Sequence, residues 1–535
     1  MSTAARLRRL DAGASITVLE RSGHVSFANC GLPYFVGGLI EEEDQLTLQT
    51  PEQLFARFRL DVNVDCEVTA IDRAGHRVTT RSTIDGAESV VEYDKLVLSM
   101  GAAPVRPPIP GYDRVRTLRT VEDAALLASD VTVAPSSAVV IGAGFIGLEM
   151  AENLVGQGID VIIVEASPQV LPPLDPEMAI LVADELAAHG VEVRTGARVA
   201  SVEDTTVTLA DGQVLPADLV VGAIGVRPDV RLAEAAGLAL GPSGGIAVNE
   251  ANQTSDPYIY AVGDAVEKAD AVSEATSLIA LANVANRQGR RVADHIAGRP
   301  TRPVASLGTA IVKVFDLVAA TVGWSERRLR AVNRPARAIH SHPFDHATYY
   351  PGATRMAAKL IFDPYDGTIL GAQVVGRAGV DKRIDVIATA MAGGLTAERL
   401  ADLELAYAPP FSSAKDPVNL LGYMAENVLS GDCDVVDPTE LDDLVSQGYT
   451  LLDVRTPQEH EHGAIPGSVN VPIDSLRERM DSLGTGPFLV YCEVGQRGHT
   501  ATALMRELGK QARNLDGGYQ TWRGSMRALA QQPAG

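Results

Sequence analysis

Residues 137–147 have the sequence Ser137-Ala-Val-Val-Ile-Gly142-Ala-Gly144-Phe-Ile-Gly147, and a second apolar run, Val161-Ile-Ile-Val-Glu165, follows it. The first run predicts a buried strand, and the Gly-x-Gly-x-x-Gly turn after it predicts the start of a helix. Such glycines let a pyrophosphate approach the helix N-terminus closely. With an acid at the end of the second strand, the pattern predicts a dinucleotide-binding βαβ unit in an α/β fold. Glu165 favours NADH over NADPH, because a carboxylate bonds a ribose 2′-hydroxyl and repels a 2′-phosphate; the sequence leaves both cofactors open.

The N-terminal residues predict only the second half of another such unit. Met1–Leu10 predicts an amphipathic helix, and Ser15–Glu20 predicts a strand that also ends in an acid. The strand and glycine-rich turn that should precede this helix are not in the sequence. We interpret Met1 as a start codon placed too late, with a fragment as the alternative, because a sheet without its central strand would expose unpaired backbone and apolar surface.

The composition argues against several classes of function. The chain has 535 residues, 46% of them hydrophobic, which allows three or more domains. A net charge of -22 argues against nucleic-acid binding, since phosphate contacts require clustered Lys and Arg. No apolar run reaches the ~18 residues that a membrane span needs. Four cysteines do not make a disulfide framework, so we expect a cytoplasmic protein with reduced thiols and without a metal site.

Cys30 lies in the stretch Val25-Ser-Phe-Ala-Asn-Cys30-Gly-Leu-Pro-Tyr34, shortly after Glu20. A cysteine just after a nucleotide-binding unit is well placed to exchange electrons with a bound ring. A free cysteine taken by itself is as often a small buried apolar residue. Further along, Thr254-Ser-Asp-Pro-Tyr-Ile-Tyr-Ala-Val-Gly-Asp264-Ala265 predicts a strand followed by an acid that can hold a polyol hydroxyl.

The chain has two nucleotide-binding units, and Asp264 lies where the chain returns to the first of these units. In this arrangement, residues 1–425 resemble the single-cysteine branch of the flavoprotein disulfide reductases. Within that branch, Ser26–Tyr34 resembles the active-site segment of the coenzyme A-disulfide reductases. The resemblance implies that Cys30 forms a mixed disulfide with coenzyme A. Two-cysteine reductases have a second cysteine five positions on, where this chain has Phe35. Cys30 would therefore pair with an external thiol or act alone as a sulfenic acid.

The resemblance also implies which residues bind each ligand. FAD would be held by residues of the first nucleotide unit, namely Glu20 on the adenosine ribose, Asp264 on the ribityl chain, Val68, Ser99 and Gly101. NADH or NADPH would be held by Gly142, Gly144, Gly147 and Glu165. Coenzyme A would be held by Arg6 and Arg9 at its phosphates and by Ser26 and Asn29 at its thiol. Without the family, a solvated helix face explains the two arginines equally well.

Residues 301–425 resemble a dimerisation domain, which implies a homodimer. Tyr349, in Ala347-Thr-Tyr-Tyr-Pro351, and Tyr407, in Ala406-Tyr-Ala-Pro-Pro-Phe411, resemble two tyrosines that reach the cysteine of the partner subunit. Phenols can donate hydrogen bonds to a thiolate or a leaving sulfur. Interface packing is the alternative role, and Tyr350 is the alternative residue to Tyr349.

A separate small α/β unit follows. The segment Pro487-Phe-Leu-Val-Tyr-Cys492-Glu-Val-Gly-Gln-Arg497-Gly498 predicts a buried strand, a loop and a helix from about His499. Backbone amides at a helix N-terminus favour an anion, so this loop can hold a thiolate or persulfide on Cys492, with Arg497 adding positive charge. Residues 437–530 resemble a rhodanese domain, which implies that Cys492 and Arg497 are catalytic. The residues Asp453, Arg455 and Gly467–Asn470 match that family too.

We therefore expect an α/β protein with two Rossmann-like domains, an α+β dimerisation domain and a C-terminal rhodanese domain. The expected bounds are 1–115 and 245–300 for FAD, 116–244 for NAD(P), 301–425 for dimerisation, 426–436 for a linker and 437–530 for rhodanese.

The expected function is NAD(P)H- and FAD-dependent reduction of coenzyme A disulfide, coenzyme A persulfide or polysulfide at Cys30, with Cys492 carrying sulfane sulfur. Fusion would raise the effective concentration of one site at the other. Three alternatives stay open: an NADH oxidase or peroxidase that uses a Cys30 sulfenic acid, a sulfurtransferase alone, and a non-enzymatic persulfide carrier. Because the first glycine-rich turn is absent, we expect the chain as written to bind little FAD.

Overall fold

The computed structural model describes residues 1–273 and 275–531. The chain forms two compact units, which are treated separately below. Unit 1 comprises Met1–Val164 and Arg198–Gly308, and unit 2 comprises Glu165–Ala197 and the residues from Thr309 onward. Across the described residues, no helix is long and apolar enough to cross a membrane.

The Cys30 region of unit 1 combines short parallel strand pairs with helices. Thr17–Leu19 pairs with Asp61–Asn63, and Leu96–Leu98 pairs with Ile259–Ala261. The strand predicted at Ser15–Glu20 is thus present but shorter. The N-terminal helices and the return helix of this region are Ser2–Leu10, Leu32–Val36, Pro51–Phe58 and Ala282–Ile296. The first of these packs against the last.

The glycine-rich turn lies at the carboxyl end of a parallel sheet, as predicted. The strand Ser137–Ile141 lies between Asp160–Val164 and Leu219–Gly222, and both pairs are parallel. The residues from Ala138 to Val140 are fully buried. This burial on both faces explains why the strand is an unbroken apolar run rather than an alternating one.

Two glycines of the turn are required by close backbone contacts. Gly142 has a φ of +105°, and a Cβ atom there would lie 2.5 Å from the carbonyl oxygen of Ala223. A Cβ atom on Gly147 would overlap the carbonyl oxygen of Gly142. The helix Phe145–Gly156 can therefore start immediately against the sheet.

The remaining elements of unit 1 surround these two regions. Its other helices are Val121–Thr132 and Arg231–Ala235. Its other strands are Cys66–Asp72, Arg77–Ser82, Glu88–Glu92, Ala102–Pro104, Val199–Val202, Thr206–Leu209, Val214–Pro216, Val226–Pro228, Glu267–Ala269 and Thr276–Leu278.

Unit 2 contains an antiparallel sheet. Its strands follow the order Ala310–Val314, Leu317–Gly323, Ile369–Gly376, Met356–Phe362 and Arg337–Ser341. The strands Met356–Phe362 and Ile369–Gly376 are buried along their whole length, so both of their faces are covered. The helices of this part of unit 2 are Pro176–Ala188, Glu326–Ala331, Val380–Ala392 and Pro417–Leu429. The short strand Glu192–Arg194 also belongs to unit 2 but not to this sheet.

The last part of unit 2 is a parallel sheet with helices on both faces. Its strands follow the order Val435–Val436, Ala512–Leu515, Phe488–Tyr491, Thr450–Asp453 and Val469–Asn470. Its helices are Leu441–Ser446, Pro457–Glu461, Ile473–Arg479, Gln496–Glu507 and Gly518–Ala530. Successive residues of a strand face opposite sides, so Leu489 and Val490 fill different apolar cores.

The predicted linker, 426–436, differs from the observed segment. The helix Pro417–Leu429 takes its first four residues, and the strand Val435–Val436 takes its last two. Only residues 430–434 lie outside both elements. Apolar Val435 and Val436 are buried because they pair with Asn514 and Leu515.

Candidate functional site

Cys30 lies in a one-turn 3-10 helix, Asn29–Gly31, just before the helix Leu32–Val36. Leu32 and Val36 are four residues apart, so they share one helix face, and both are buried. This packing holds the short helix while the Cys30 thiol stays exposed. A thiol held at the surface by a fixed segment is accessible to an external disulfide.

Arg119 supplies positive charge near Cys30. Although Cys30 is exposed, partial burial against the protein raises the pKa of its thiol overall; Glu149 and Asp264 raise it further, and Arg119 opposes them. The Arg119 guanidinium donates to the Asp264 carboxylate at 3.2 Å. With the Asn29 amide oriented to satisfy both groups, its nitrogen donates to the Arg119 carbonyl at 3.1 Å and its oxygen accepts from the guanidinium at 3.0 Å. Sequence reasoning missed Arg119, because it lies far from Cys30 along the chain and outside any motif.

Glu149 is a second residue that sequence reasoning missed. Burial raises its pKa to about 7, Glu152 adds to the rise, and a hydrogen bond from Tyr34 opposes it. The pKa of Cys30 responds to the Glu149 charge. An acid that titrates near neutral pH therefore lies in the Cys30 region. Its position directly after the glycine-rich turn was the available signal.

A cleft of about 390 Å³ lies beside the N-terminal helix. It is lined by three of the four residues predicted for coenzyme A, Arg6, Arg9 and Ser26, and also by Arg57 and Arg290. Arg6 donates to Asp294 at 2.7 Å, and Arg290 lies 4.0 Å from the same carboxylate, so these two cations share one acid. The fourth predicted residue, Asn29, bonds Arg119 instead of lining this cleft.

The carboxylates predicted for FAD lie at strand ends in unit 1. Glu20 follows Thr17–Leu19 and accepts from the Ser22 amide at 2.9 Å. Asp264 follows Ile259–Ala261. Carboxylates at such positions accept hydrogen bonds from ribose and ribityl hydroxyls, so the two acids fit those parts of FAD. The other predicted FAD residues are Val68 in the strand Cys66–Asp72, Ser99 after Leu96–Leu98, and Gly101 with φ +70°.

The predicted NAD turn fits a pyrophosphate. The helix Phe145–Gly156 has Gly144 as its N-cap, and no side chain caps the first-turn amides. A Cβ atom on Gly144 would meet nothing within 4 Å, so that side of the turn is open. In unit 2, Glu165 is almost buried and accepts a hydrogen bond from the Ser167 amide at 2.6 Å.

Tyr349 and Tyr407 meet in unit 2 through their hydroxyl groups, 2.8 Å apart. Both rings are largely exposed, at 74% and 50%. Tyr350 instead packs its ring edge-on against His346, with centroids 5.7 Å apart. The structure thus joins Tyr349, rather than its neighbour, to Tyr407.

Cys492 lies at the end of the strand Phe488–Tyr491 and is fully buried. The loop after it turns at Gly495, with φ +89°, and the helix begins at Gln496 rather than near His499. The start of the helix Gly518–Ala530 fixes this loop, because the Tyr519 amide donates to the Cys492 carbonyl at 2.8 Å. The helix at Gln496, whose first-turn amides have no side-chain cap, therefore begins four residues after a fixed cysteine.

Ion pairs surround this loop. Arg497 donates to the Glu459 carboxylate at 2.8 and 2.5 Å. Arg455 is buried and donates to Asp453 and, at 2.8 Å, to Glu493. Burial alone would raise the pKa of Asp453, but hydrogen bonds from Arg455 and His460 lower it. Sequence reasoning identified Asp453, Arg455 and Arg497 but missed Glu459, whose local pattern indicates only a helix cap.

Three family models match the chain. Residues 1–289 match the pyridine nucleotide-disulphide oxidoreductase family, and residues 309–417 match the dimerisation domain of that family. The chain belongs to the pyridine nucleotide-disulphide oxidoreductase family. Residues 437–525 match the rhodanese-like domain.

Relatives of this oxidoreductase are named either as coenzyme A disulfide reductases or as an NADH oxidase. Coenzyme A disulfide reductase from Staphylococcus haemolyticus is 34% identical over 429 residues, which cover 79% of this chain and 96% of the relative. NADH oxidase from Methanocaldococcus jannaschii is 35% identical over 437 residues, which cover 80% and 97%.

Two solved structures match this oxidoreductase along nearly its whole length. Reduced Bacillus anthracis CoADR-RHD has 45% identity and a TM-score of 0.97, covering 99% of this chain and 96% of the other. An NAD-dependent persulfide reductase from A. fulgidus has 37% identity and a TM-score of 0.91, covering 97% of each.

These findings confirm the predicted family, the α/β fold class with its C-terminal rhodanese domain, the oxidoreductase class, and FAD with a pyridine nucleotide as cofactors. The match to a dimerisation domain supports a homodimer. The domain boundaries and the roles of individual residues stay predictions.

Proposed function

We propose that this oxidoreductase uses NADH and FAD to reduce the sulfur–sulfur bond of coenzyme A persulfide, coenzyme A disulfide or polysulfide at Cys30, while Cys492 carries sulfane sulfur. The observation that carries the proposal is the arginine-lined cleft whose wall includes Ser26, four residues before the exposed Cys30. A relative named coenzyme A disulfide reductase and a structure named persulfide reductase support the substrate class.

The cleft favours the anionic end of coenzyme A. That molecule carries a pyrophosphate and a ribose phosphate, and guanidinium groups bind phosphate oxygens through paired N–H donors. Arg9 and Arg57 offer such donors in the lining of the cleft, and Arg290 adds a guanidinium that shares Asp294 with Arg6. With the phosphates in the cleft, the thiol arm can extend along the Ser26 segment to Cys30.

Sulfur chemistry at Cys30 proceeds by thiol–disulfide exchange. The Cys30 thiolate attacks the sulfur attached to coenzyme A, a new disulfide forms, and the old sulfur–sulfur bond breaks. Coenzyme A persulfide releases sulfide, and coenzyme A disulfide releases one coenzyme A thiolate. Polysulfide is instead attacked at an end sulfur, which stays on Cys30 as a persulfide while the shortened chain leaves. Two electrons and a proton then return Cys30 to its thiolate and release coenzyme A, or sulfide where the substrate was polysulfide. Bound FAD, drawing on NADH, would supply those electrons. Arg119 offsets part of the rise in the Cys30 pKa that burial, Glu149 and Asp264 cause, so it favours the thiolate that attacks.

The two tyrosines are proposed to act on the cysteine of the partner subunit in the homodimer. Their shared hydrogen bond leaves one phenol hydrogen to donate outward to a sulfur. We also propose a reducing, cytoplasmic compartment, since all four cysteines are free thiols.

An NADH oxidase reaction is the second candidate, because one relative at 35% identity has that name. It would use Cys30 as a sulfenic acid. The deciding experiment compares anaerobic NADH consumption with coenzyme A persulfide, coenzyme A disulfide and polysulfide against NADH consumption with oxygen alone. Turnover that is fast with oxygen and absent with every sulfur substrate would overturn the main proposal.

A further inference from the structure

Carboxylates pair with both arginines beside the Cys492 loop, although the site is proposed to handle anions. Glu459 takes both terminal nitrogens of Arg497, and each of the two side chains is about one-third exposed. Glu493 and Asp453 take the buried Arg455. Among the described residues of this network, three carboxylates therefore face two guanidinium groups.

The ion pair between Glu459 and Arg497 affects which sulfur donor can bind next to Cys492. Thiosulfate carries two negative charges, whereas the persulfide of a small thiol carries a single negative charge at its sulfur pair. The Arg497 guanidinium also interacts with Cys492, although its main partner is Glu459. A dianion that needs this guanidinium must compete with a carboxylate already bound to it in bidentate geometry.

We propose that Glu459 determines donor specificity at Cys492 by occupying Arg497, so that persulfides of low-molecular-weight thiols are preferred over thiosulfate. The inference rests on the proposed sulfur-carrying role of Cys492 and names the donor class for it. Glu493, which is held by Arg455, adds a second negative charge directly after the cysteine.

The reaction has the same form with both donors. The Cys492 thiolate attacks the outer sulfur of the donor, a Cys492 persulfide forms, and the donor's sulfur–sulfur bond breaks. A thiol persulfide leaves as the thiol after taking one proton, and thiosulfate leaves as sulfite. Cyanide then removes the outer sulfur as thiocyanate and restores the Cys492 thiolate, so neither donor requires an added oxidant or reductant.

Glu459 can be changed without removing its structural role. Its carboxylate accepts from the Thr456 amide at 2.9 Å, and the Glu459 amide donates to the Thr456 hydroxyl at 3.2 Å, forming the cap of the helix Pro457–Glu461. Glutamine at the third helical position forms the same capping box. Glu459→Gln therefore removes the charge while keeping the helix start.

The test measures kcat/KM for thiocyanate formation in the full chain, with thiosulfate and with glutathione persulfide as donors. We expect Glu459→Gln to raise the thiosulfate value on the order of tenfold and to change the persulfide value less than about twofold, because the freed guanidinium helps the dianion most. Glu461→Gln is the matched control, since Glu461 lies exposed on the same helix. It should change neither value. An unchanged donor ratio in a folded Glu459→Gln protein would overturn the inference.

A second comparison tests whether Glu459 acts by occupying Arg497 or by repelling the donor directly. If Glu459 acts through Arg497, adding Glu459→Gln to Arg497→Gln should give no gain with thiosulfate. A gain that persists in the double variant would overturn the inference, because it would mean that the Glu459 carboxylate repels the dianion directly and not by occupying Arg497. Cys492→Ser tests the underlying proposal, because full thiocyanate formation in that variant would contradict the carrier role of Cys492. If Cys492→Ser loses transfer but Glu459→Gln leaves the thiosulfate-to-persulfide ratio of kcat/KM unchanged, only the specificity inference is contradicted.

Discussion

The hydroxyl groups of Tyr349 and Tyr407 lie 2.8 Å apart, although 58 residues separate them in sequence. The bond itself raises the pKa of Tyr349, which keeps the phenol protonated and able to donate. If the pair donates to sulfur, Tyr407→Phe should lower kcat for coenzyme A persulfide on the order of 10- to 100-fold. Flavin reduction by NADH should not change. Stopped-flow measurement of the two half-reactions distinguishes these steps.

The double variant sharpens that prediction. Because one hydrogen bond joins the two phenols, Tyr349→Phe with Tyr407→Phe should cost little more than Tyr407→Phe alone. Tyr350→Phe is the control, since its ring packs on His346 and not on Tyr407. Additive losses, or a larger loss from Tyr350→Phe, would contradict a shared role for Tyr349 and Tyr407.

Substitutions of the two catalytic cysteines should separate the two activities. Cys30→Ser should abolish NADH-dependent reduction of every sulfur substrate, because Phe35 replaces any resolving thiol, and should leave sulfur transfer to cyanide intact. Cys492→Ser should abolish that transfer and spare reduction of coenzyme A persulfide, which can enter the Cys30 site directly. Cys66→Ser, in the strand Cys66–Asp72, is the control and should change neither activity. Unchanged reductase turnover in Cys30→Ser would contradict the central proposal.

Short sequence motifs correctly predicted the turns whose backbone conformation depends on neighbouring residues in the chain. The glycine-rich turn could be placed to the residue, because close contacts at Gly142 and Gly147 permit no other side chain. The Cys492 loop was found in the same way, from a buried strand that ends at a cysteine before a helix. In both cases the chemistry and the backbone conformation lie within one short segment.

What sequence reasoning missed depends on contacts distant in sequence. Arg119 and Glu149 affect Cys30 from other elements, and neither has a spacing to Cys30 that a motif would show. Glu459 has a local pattern, but that pattern indicates a helix cap and not a partner for Arg497. Val435, within the predicted linker, is buried and pairs with Asn514, a contact that local sequence does not show.

Glu165 should make NADH the preferred cofactor. Placing the 2′-phosphate of NADPH beside a carboxylate costs on the order of 1–3 kcal/mol, or about 5- to 150-fold in kcat/KM. Glu165→Gln should reduce the preference for NADH over NADPH, because the 2′-phosphate then meets no carboxylate. The side-chain oxygen of the glutamine can still accept the hydrogen bond from the Ser167 amide. Steady-state kinetics with both cofactors measure the ratio. A wild-type preference for NADPH would contradict the assignment.

Arg119 and Glu149 should shift the pH dependence of Cys30 alkylation in opposite directions. Arg119 lowers the pKa of the Cys30 thiol and Glu149 raises it. Arg119→Gln should therefore move the pH midpoint of Cys30 alkylation upward, and Glu149→Gln should move it downward. The midpoint is measured from iodoacetamide rates on the flavin-loaded protein. Arg116→Gln, which removes an exposed cation paired with Asp130, should leave the midpoint in place. Shifts of the same sign in Arg119→Gln and Glu149→Gln would contradict this account.

His340 should make the stability of unit 2 depend on pH. Its Nδ1 lies 2.6 Å from Asp516 and its Nε2 lies 3.1 Å from Glu177, which also accepts from Lys359 at 2.6 Å. Burial opposes protonation, but Asp516 and Glu177 raise the pKa of His340 to about 10. The pKa of an unfolded histidine is about 6.5, so this stabilisation is complete below that pH and is lost as pH rises through about 10.

His340→Gln should lower the free energy of unfolding of unit 2 by about 3–5 kcal/mol at pH 7, because it leaves the buried Asp516 carboxylate without the cation at His340, while Glu177 keeps Lys359. The deficit relative to wild type should shrink as pH rises toward 10. His342→Gln is the control: burial lowers the pKa of His342 to about 3, so it is neutral throughout and its loss should not vary with pH over this range. Urea unfolding followed by tryptophan fluorescence reports on this unit, because the chain's two tryptophans, Trp324 and Trp522, both lie in it. A deficit for His340→Gln that stays constant from pH 7 to pH 10 would mean that His340 is held as a neutral side chain and that the ion pair with Asp516 does not stabilise the fold.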